Sequence, residues 1–161
     1  MKIAERRYWK VVGVAYLIPL FFAILDVIGS RMWIAAGGSE PYLAAEGLYM
    51  MQFWSFGYLL IGLIGLTYYI TRGDLSEALA LVLVPILLLR SGVEDIIYFF
   101  IKGIPLPEVV MPWSMNTPWP PALVARLMGH EQILGTDLAI GAGVGIILAY
   151  FLAKWLWRVK G

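Results

Sequence analysis

Four apolar segments constrain the fold of this chain more than any other feature of its sequence. They cover residues 9–30, 47–71, 78–101 and 136–157. A helix needs about 20 predominantly apolar residues to cross the hydrocarbon core of a bilayer, and each segment supplies them. The composition agrees, because 61% of the residues are hydrophobic and only 14% are charged. We therefore predict an all-α integral membrane protein with four transmembrane helices, in a single membrane domain over residues 1–161.

The links between the segments predict an antiparallel bundle. The first two links are short, and short links join antiparallel neighbours. The third link is different, because six of the nine prolines lie between residues 103 and 121. Prolines fix φ and remove backbone donors, so we expect a stiff loop rich in Pro and Trp. A short interfacial helix should follow from Pro121, before the fourth span.

Basic residues predict the orientation. Eight of the twelve Lys and Arg residues flank the spans on the side that holds both termini. The positive-inside rule therefore places both termini in the cytoplasm of a multi-pass protein of the cell membrane. The formal net charge is only +1, and the basic residues do not form a stripe, so no nucleic acid partner is expected. The expected partner is the lipid bilayer.

Charged residues inside the third segment are the strongest functional signal. Arg90, Glu94 and Asp95 lie within LLLRSGVEDIIYFFIKG. A charge at the centre of a spanning helix is disfavoured by about 2.5–3.5 kcal/mol, so such groups face the bundle interior or a cavity and have partners. Arg90 and Glu94 are four residues apart and are predicted to pair on one helix face. Asp95 points elsewhere and needs a partner from another helix.

Polar groups from all four predicted spans meet in the outer half of the bilayer, while the inner half has almost none. We predict a polar cavity there, covered by residues 103–120. The candidate catalytic residues are Glu94, Asp95 and His130. The candidate cavity or substrate-binding residues are Asp26, Glu46, Gln52, Arg90, Tyr98, Trp113 and Trp119.

Three interpretations of this cavity are open. The polar cluster fixes the packing of the helices, as some buried ion pairs do. Alternatively, it is a membrane-embedded enzyme or binding site for a lipid-like molecule, using carboxylate acid–base or metal-assisted chemistry. The third interpretation is a proton or cation pathway, alone or as an accessory subunit of a larger membrane complex.

The supply of ligands limits the possible cofactors. The chain has one histidine and no cysteine. A bis-histidine haem, a three-histidine zinc site and a cysteine-ligated metal are therefore not expected. A hard divalent cation held by oxygen ligands stays possible, and the sequence does not identify its ligands.

The fourth segment carries a GxxxG pattern at Gly141 and Gly145, within IGAGVGIIL. Small residues at this spacing let helix backbones approach closely. The pattern predicts a packing face, either within the bundle or between copies in a homo-oligomer.

Several scattered residues resemble one known group of membrane proteins. Asp26, Glu46, Gln52 and the His-Glu pair at 130–131 resemble the four-span EXPERA group of sterol isomerases and sigma-2-type receptors. The resemblance implies acid-mediated chemistry or amine binding in a lipid-facing pocket. The tyrosine-rich last span of that group is not matched by AIGAGVGIILAYFLAKW.

Overall fold

The structure, a computed structural model, describes residues 3–37, 47–109 and 119–160. These residues form six helices, with one isolated β-bridge between Val109 and Leu134. The helices are α1 (Ile3–Ala35), α2 (Gly47–Arg72), α3 (Leu75–Arg90), α4 (Val93–Lys102), α5 (Pro120–Leu127) and α6 (Gly135–Lys160).

Three of the helices are long and apolar enough to cross a membrane. The qualifying stretches are Ala4–Ala35 in α1, Phe53–Arg72 in α2 and Gly135–Val159 in α6. The chain is therefore all-helical in its described residues and has the character of a membrane protein, as the sequence predicts.

The predicted third span, 78–101, is divided into two helices. α3 ends at Arg90, and α4 begins at Val93 after a left-handed Gly92 with φ of 87°. Glycine adopts positive φ without a steric penalty, which lets the chain change direction here. A side chain at this position would collide with Leu138 of α6. The break therefore depends both on backbone conformation and on the close approach of α6.

α3 lies at the centre of the bundle and contacts α1, α2 and α6, while α4 packs against α1 and α6. The largest apolar cluster joins three of these helices and contains several alanines, which allow close packing. Its buried members are Tyr8, Val12, Ala15, Ala80, Leu81, Val84, Leu88, Ala149, Ala153 and Leu156. We call this set the apolar layer.

The glycine pattern of α6 packs within the chain. A side chain added at Gly141 would meet Pro121 of α5 at 2.8 Å, and one at Gly145 would collide with Ser91. Ser91 belongs to the break between α3 and α4. The face that we considered for a homo-oligomer is therefore already covered by contacts inside the bundle.

The short helix predicted after the proline-rich loop is present. α5 begins with Pro120 and ends at Leu127, and Gly129 follows with φ of 76°. The residues from His130 onward lead to α6, and Leu134 joins Val109 in the β-bridge.

Candidate functional site

Three acidic residues influence one another electrostatically where α4 begins. Glu94 and Asp95 lie in the first turn of α4, directly after the break, and Asp26 lies on α1. The electrostatic field of Asp26 acts on both of the α4 carboxyl groups, and Glu94 also feels Asp95. We call these three residues the acidic site. All three are among the residues that the sequence predicts for the polar cavity.

Two oxygen atoms of the acidic site are buried and have no hydrogen-bond partner among the described residues. They are Glu94 Oε1 and Asp95 Oδ2, and the Glu94 residue as a whole is only 2% exposed. An unsatisfied buried polar group costs about 1–3 kcal/mol, so native structures rarely retain one without a reason. The first turn of a helix offsets part of this cost for a carboxylate, because the helix dipole is positive there.

An apolar wall with one hydroxyl group borders the acidic site. Val27 of α1 packs in a buried cluster with Tyr98 and Phe99 of α4. The Tyr98 hydroxyl donates a hydrogen bond of 3.5 Å to Ser30 Oγ, and Lys102 Nζ lies 5.0 Å from the Tyr98 ring centroid. Tyr98, a predicted cavity residue, therefore lies on the same α1–α4 surface as Asp26.

Arg90 does not pair with Glu94 on one helix face, so that prediction is wrong. The break after Arg90 removes the continuous helical spacing on which it depended. Arg90 is exposed, and its guanidinium carbon lies 5.3 Å from the centroid of the Tyr58 ring on α2. Tyr58 also lies within the electrostatic field of Glu94 and Asp95.

His130 is engaged by a different acid. Its Nδ1 lies 2.9 Å from Asp137 Oδ2 and 3.1 Å from Oδ1. Asp137 is 1% exposed and also accepts a 2.9 Å hydrogen bond from the Leu134 backbone N–H. Asp137, the third residue of α6, therefore caps the helix, because its side chain accepts a hydrogen bond from the residue that precedes the helix. The predicted catalytic His130 therefore joins a helix cap, with Asp137 rather than the acidic site as its side-chain partner.

The remaining predicted residues are placed only in part. Glu46 and Trp113 lie outside the described residues, as does the side chain of Gln52. Trp119 is buried in an apolar cluster with α5 and α6 residues, and Ile96 of α4 packs against that cluster. It contributes to the core behind α4 rather than to a cover over a cavity.

The described residues contain no group of three or more acidic or histidine side chains arranged to hold a metal ion.

A second buried acid occurs at the opposite end of α3, where the sequence analysis predicted almost no polar groups. Glu77 is fully buried and accepts hydrogen bonds from Arg7 Nε at 2.9 Å and from the Tyr68 hydroxyl. Asp74 caps α3 by accepting the Glu77 backbone N–H at 3.1 Å, and it also binds Arg7 Nη2 at 3.1 Å. We call these four residues the Arg7 cluster. The capping pattern Asp-x-x-Glu at 74–77 was a visible signal for it.

No family model, no curated protein and no solved structure matches this chain. The resemblance to the EXPERA group gains no support from these comparisons. The geometry of the acidic site is therefore the basis for assigning a function.

Proposed function

We propose that α1, α2, the α3–α4 pair and α6 cross a cell membrane as an antiparallel bundle with both termini in the cytoplasm. α3 and α4 have 16 and 10 residues, which correspond to about 24 and 15 Å of helix. Together they exceed the hydrocarbon thickness of about 30 Å, although neither reaches it alone. Broken helices occur within membranes where the interrupted backbone faces protein or a polar cavity. The acidic site then lies in the outer half.

The function that we assign to the acidic site is to bind a lipid-like molecule and to exchange a proton with it. The observation that supports this most directly is the pair of buried, unpartnered oxygens on Glu94 and Asp95. Asp26, Glu94 and Asp95 influence one another electrostatically, and in a weakly polar medium like charges disfavour simultaneous ionisation. A protonated carboxyl donates a hydrogen bond and its ionised neighbour accepts one, so the pair supplies both an acid and a base.

The contrast with the Arg7 cluster favours a ligand site over a purely structural one. Both sites bury a glutamate in the same bundle, at Glu77 and at Glu94. Each Glu77 oxygen has a donor, Arg7 for one and Tyr68 for the other. That arrangement is complete and holds three helices together. One oxygen of Glu94 has no hydrogen-bond donor among the described residues. A buried glutamate that only fixed the packing of the helices would be expected to have both oxygens hydrogen-bonded.

The apolar layer gives less support to a proton or cation pathway. It lies between the Arg7 cluster and the acidic site, and its members Ala15, Val84 and Ala149 are fully buried. An ion that crossed the membrane through this part of the bundle would have to pass a close-packed apolar section. Binding from one side of the membrane needs no such passage.

Native mass spectrometry of the mildly purified protein tests the proposal. We expect lipid-like adducts on the wild type that are lost in Glu94→Gln and Asp95→Asn, while the melting temperature stays the same. Glu108→Gln is the matched control, because Glu108 is an exposed acid away from the acidic site. Adducts that persist in both site variants would refute the proposal, as would loss of the fold in both.

A vesicle assay separates binding from transport. We expect vesicles reconstituted with the wild type to remain tight to protons. A proton flux that Asp95→Asn removes would replace our proposal with the pathway.

A further inference from the structure

A cavity of about 410 Å³ lies at the end of α3 opposite to the acidic site, between the α2–α3 turn and the last turns of α6. Contacts within the chain hold its walls in place. The Ser76 hydroxyl donates a 2.7 Å hydrogen bond to the Leu156 carbonyl, which joins α3 to α6. Asp74 accepts hydrogen bonds of 3.1 Å from Arg7 Nη2 and from the Glu77 backbone N–H. The shape of the cavity therefore does not depend on a ligand.

One positive charge on the cavity wall is not balanced by an acid. Asp74 lines the cavity, but its charge is compensated by the ion pair with Arg7. Arg72, the last residue of α2, also lines the cavity and is exposed. Its side chain has no ion pair or hydrogen bond within the part of the chain that the structure describes. The wall therefore favours an anionic group at Arg72.

Most of the remaining wall is apolar. Leu156 is buried and Leu79 is half-buried, and both line the cavity from inside the bundle. Leu75 and Val159 extend the wall outward and are 58% and 66% exposed. A small inorganic anion gains nothing from such a wall, whereas a hydrocarbon chain removes its apolar surface from water. The ligand that fits best therefore carries an apolar part beside its anionic group.

The depth of the cavity in the proposed topology matches the edge of the hydrocarbon core. α2 ends at Arg72, and α3 begins at Leu75 after a turn of two residues. A turn this short between two spans lies at the headgroup level. Arg72 is then at the depth of the lipid phosphates, on the cytoplasmic side where anionic lipids attract basic residues.

We propose that this cavity binds an anionic phospholipid of the cytoplasmic leaflet, with its phosphate on Arg72 and an acyl chain against Leu79, Leu156 and Val159. A guanidinium group suits a phosphate because its planar fork donates two parallel hydrogen bonds. The ammonium of a zwitterionic headgroup would find no uncompensated acid on this wall, because Asp74 is already paired. The inference uses the proposed topology and is independent of the function of the acidic site.

Lipid binding to the delipidated full chain tests the inference. Phosphatidylglycerol and phosphatidylcholine with identical acyl chains are titrated in one detergent, and bound lipid is measured by native mass spectrometry. We expect the wild type to bind phosphatidylglycerol about fivefold more tightly, the effect of one basic residue on an anionic lipid, and Arg72→Gln to lose this preference. Equal binding of the two lipids by the wild type would overturn the inference.

Arg6→Gln is the matched control for the charge. Arg6 is an exposed arginine at the same end of the bundle, and it does not line the cavity. The preference for phosphatidylglycerol should remain in this variant. An equal loss in Arg6→Gln and Arg72→Gln would show a diffuse attraction to the basic end of the bundle and would refute a site at the cavity.

Val159→Trp tests the cavity separately from the charge. Its larger side chain fills part of the cavity while Arg72 is retained, so the preference for phosphatidylglycerol should be lost. Val144→Trp is the control, because Val144 is an exposed valine of α6 away from the cavity. Equal binding by the two variants would show that the cavity is not the site.

Inorganic phosphate separates a lipid from a soluble anion. In large excess it should not displace phosphatidylglycerol, because it makes no use of the apolar wall. Displacement would identify a site for free phosphate and overturn the assignment to a lipid. The acidic site is intact in every variant of this series, so a negative result leaves the proposed function unaffected.

Discussion

The same substitution at two buried glutamates should have different effects on stability. Glu77→Gln removes the charge that Arg7 and Tyr68 bind. Hydrogen bonds to charged groups contribute about 1.5–3 kcal/mol each. The Arg7 side chain is 54% exposed, so water can solvate its guanidinium group in place of the lost carboxylate and reduce the effect. We expect a decrease of about 1–2 kcal/mol in the free energy of unfolding.

Glu94→Gln should cost nothing or stabilise the fold. Glu94 has a buried oxygen without a donor, and Asp26 and Asp95 lie close by. Replacement by an amide removes one of three neighbouring acids and keeps the shape of the side chain. The amide is itself polar, so the gain is limited to the lower end of the roughly 1–3 kcal/mol that an unsatisfied buried group costs.

Thermal melts of the two variants in one detergent, followed by tryptophan fluorescence, measure the difference. In a chain of this length 1 kcal/mol shifts the midpoint by about 2–4 °C, so Glu77→Gln should melt about 2–8 °C below the wild type. Glu94→Gln should melt at the wild-type temperature or slightly above. Glu131→Gln, at an exposed acid, controls for the substitution itself. A decrease at Glu94 as large as that at Glu77 would refute the distinction between a satisfied and an unsatisfied site.

Two further pairs of substitutions test the packing of α6 and its helix cap. Gly145→Leu should lower the melting temperature, because the new side chain would collide with Ser91 at the helix break. Gly143→Leu should leave it unchanged, because Gly143 faces open space. Equal effects of the two variants in the same melts would show that α6 does not pack as described. Asp137→Ala should lower the free energy of unfolding by about 1–2 kcal/mol, the usual contribution of a helix cap. His130→Gln should lower it less, because the His130 side chain is 30% exposed. Urea titration of both variants measures this order, and the reverse order would contradict it.

Much of the fold follows from length and hydrophobicity. Apolar runs of about 20 residues predict membrane helices, and α1, α2 and α6 agree with that pattern. The break at Gly92 does not follow, because a single glycine within an apolar run is compatible with a continuous helix. The left-handed conformation of Gly92 disfavours any side chain there, and Leu138, distant in sequence, approaches the same position. A contact of this kind has no signature in local sequence.

The residues of the acidic site were predictable from their position inside apolar segments. Acids inside apolar segments must face protein or a cavity, which brought Asp26, Glu94 and Asp95 into one prediction. The partner of His130 was not foreseen, although Asp137 follows it by only seven residues. His130 was predicted as a catalytic residue, and a helix cap at the start of the fourth span was not considered. The Arg7 cluster was missed because Arg7 was counted as an interfacial charge and Glu77 was not considered.

The length of α3 has a consequence for how the chain enters a membrane. Its 16 residues make a helix of about 24 Å, which is too short to span about 30 Å of hydrocarbon unaided. The two-residue turn at Gly73 and Asp74 joins it directly to the end of α2. In the proposed topology, α2 and α3 are therefore expected to insert together as a hairpin. α4 is expected to insert only after α6 has packed against Gly92. The charged residues at the break would then leave water last, after the surface that shelters them has formed.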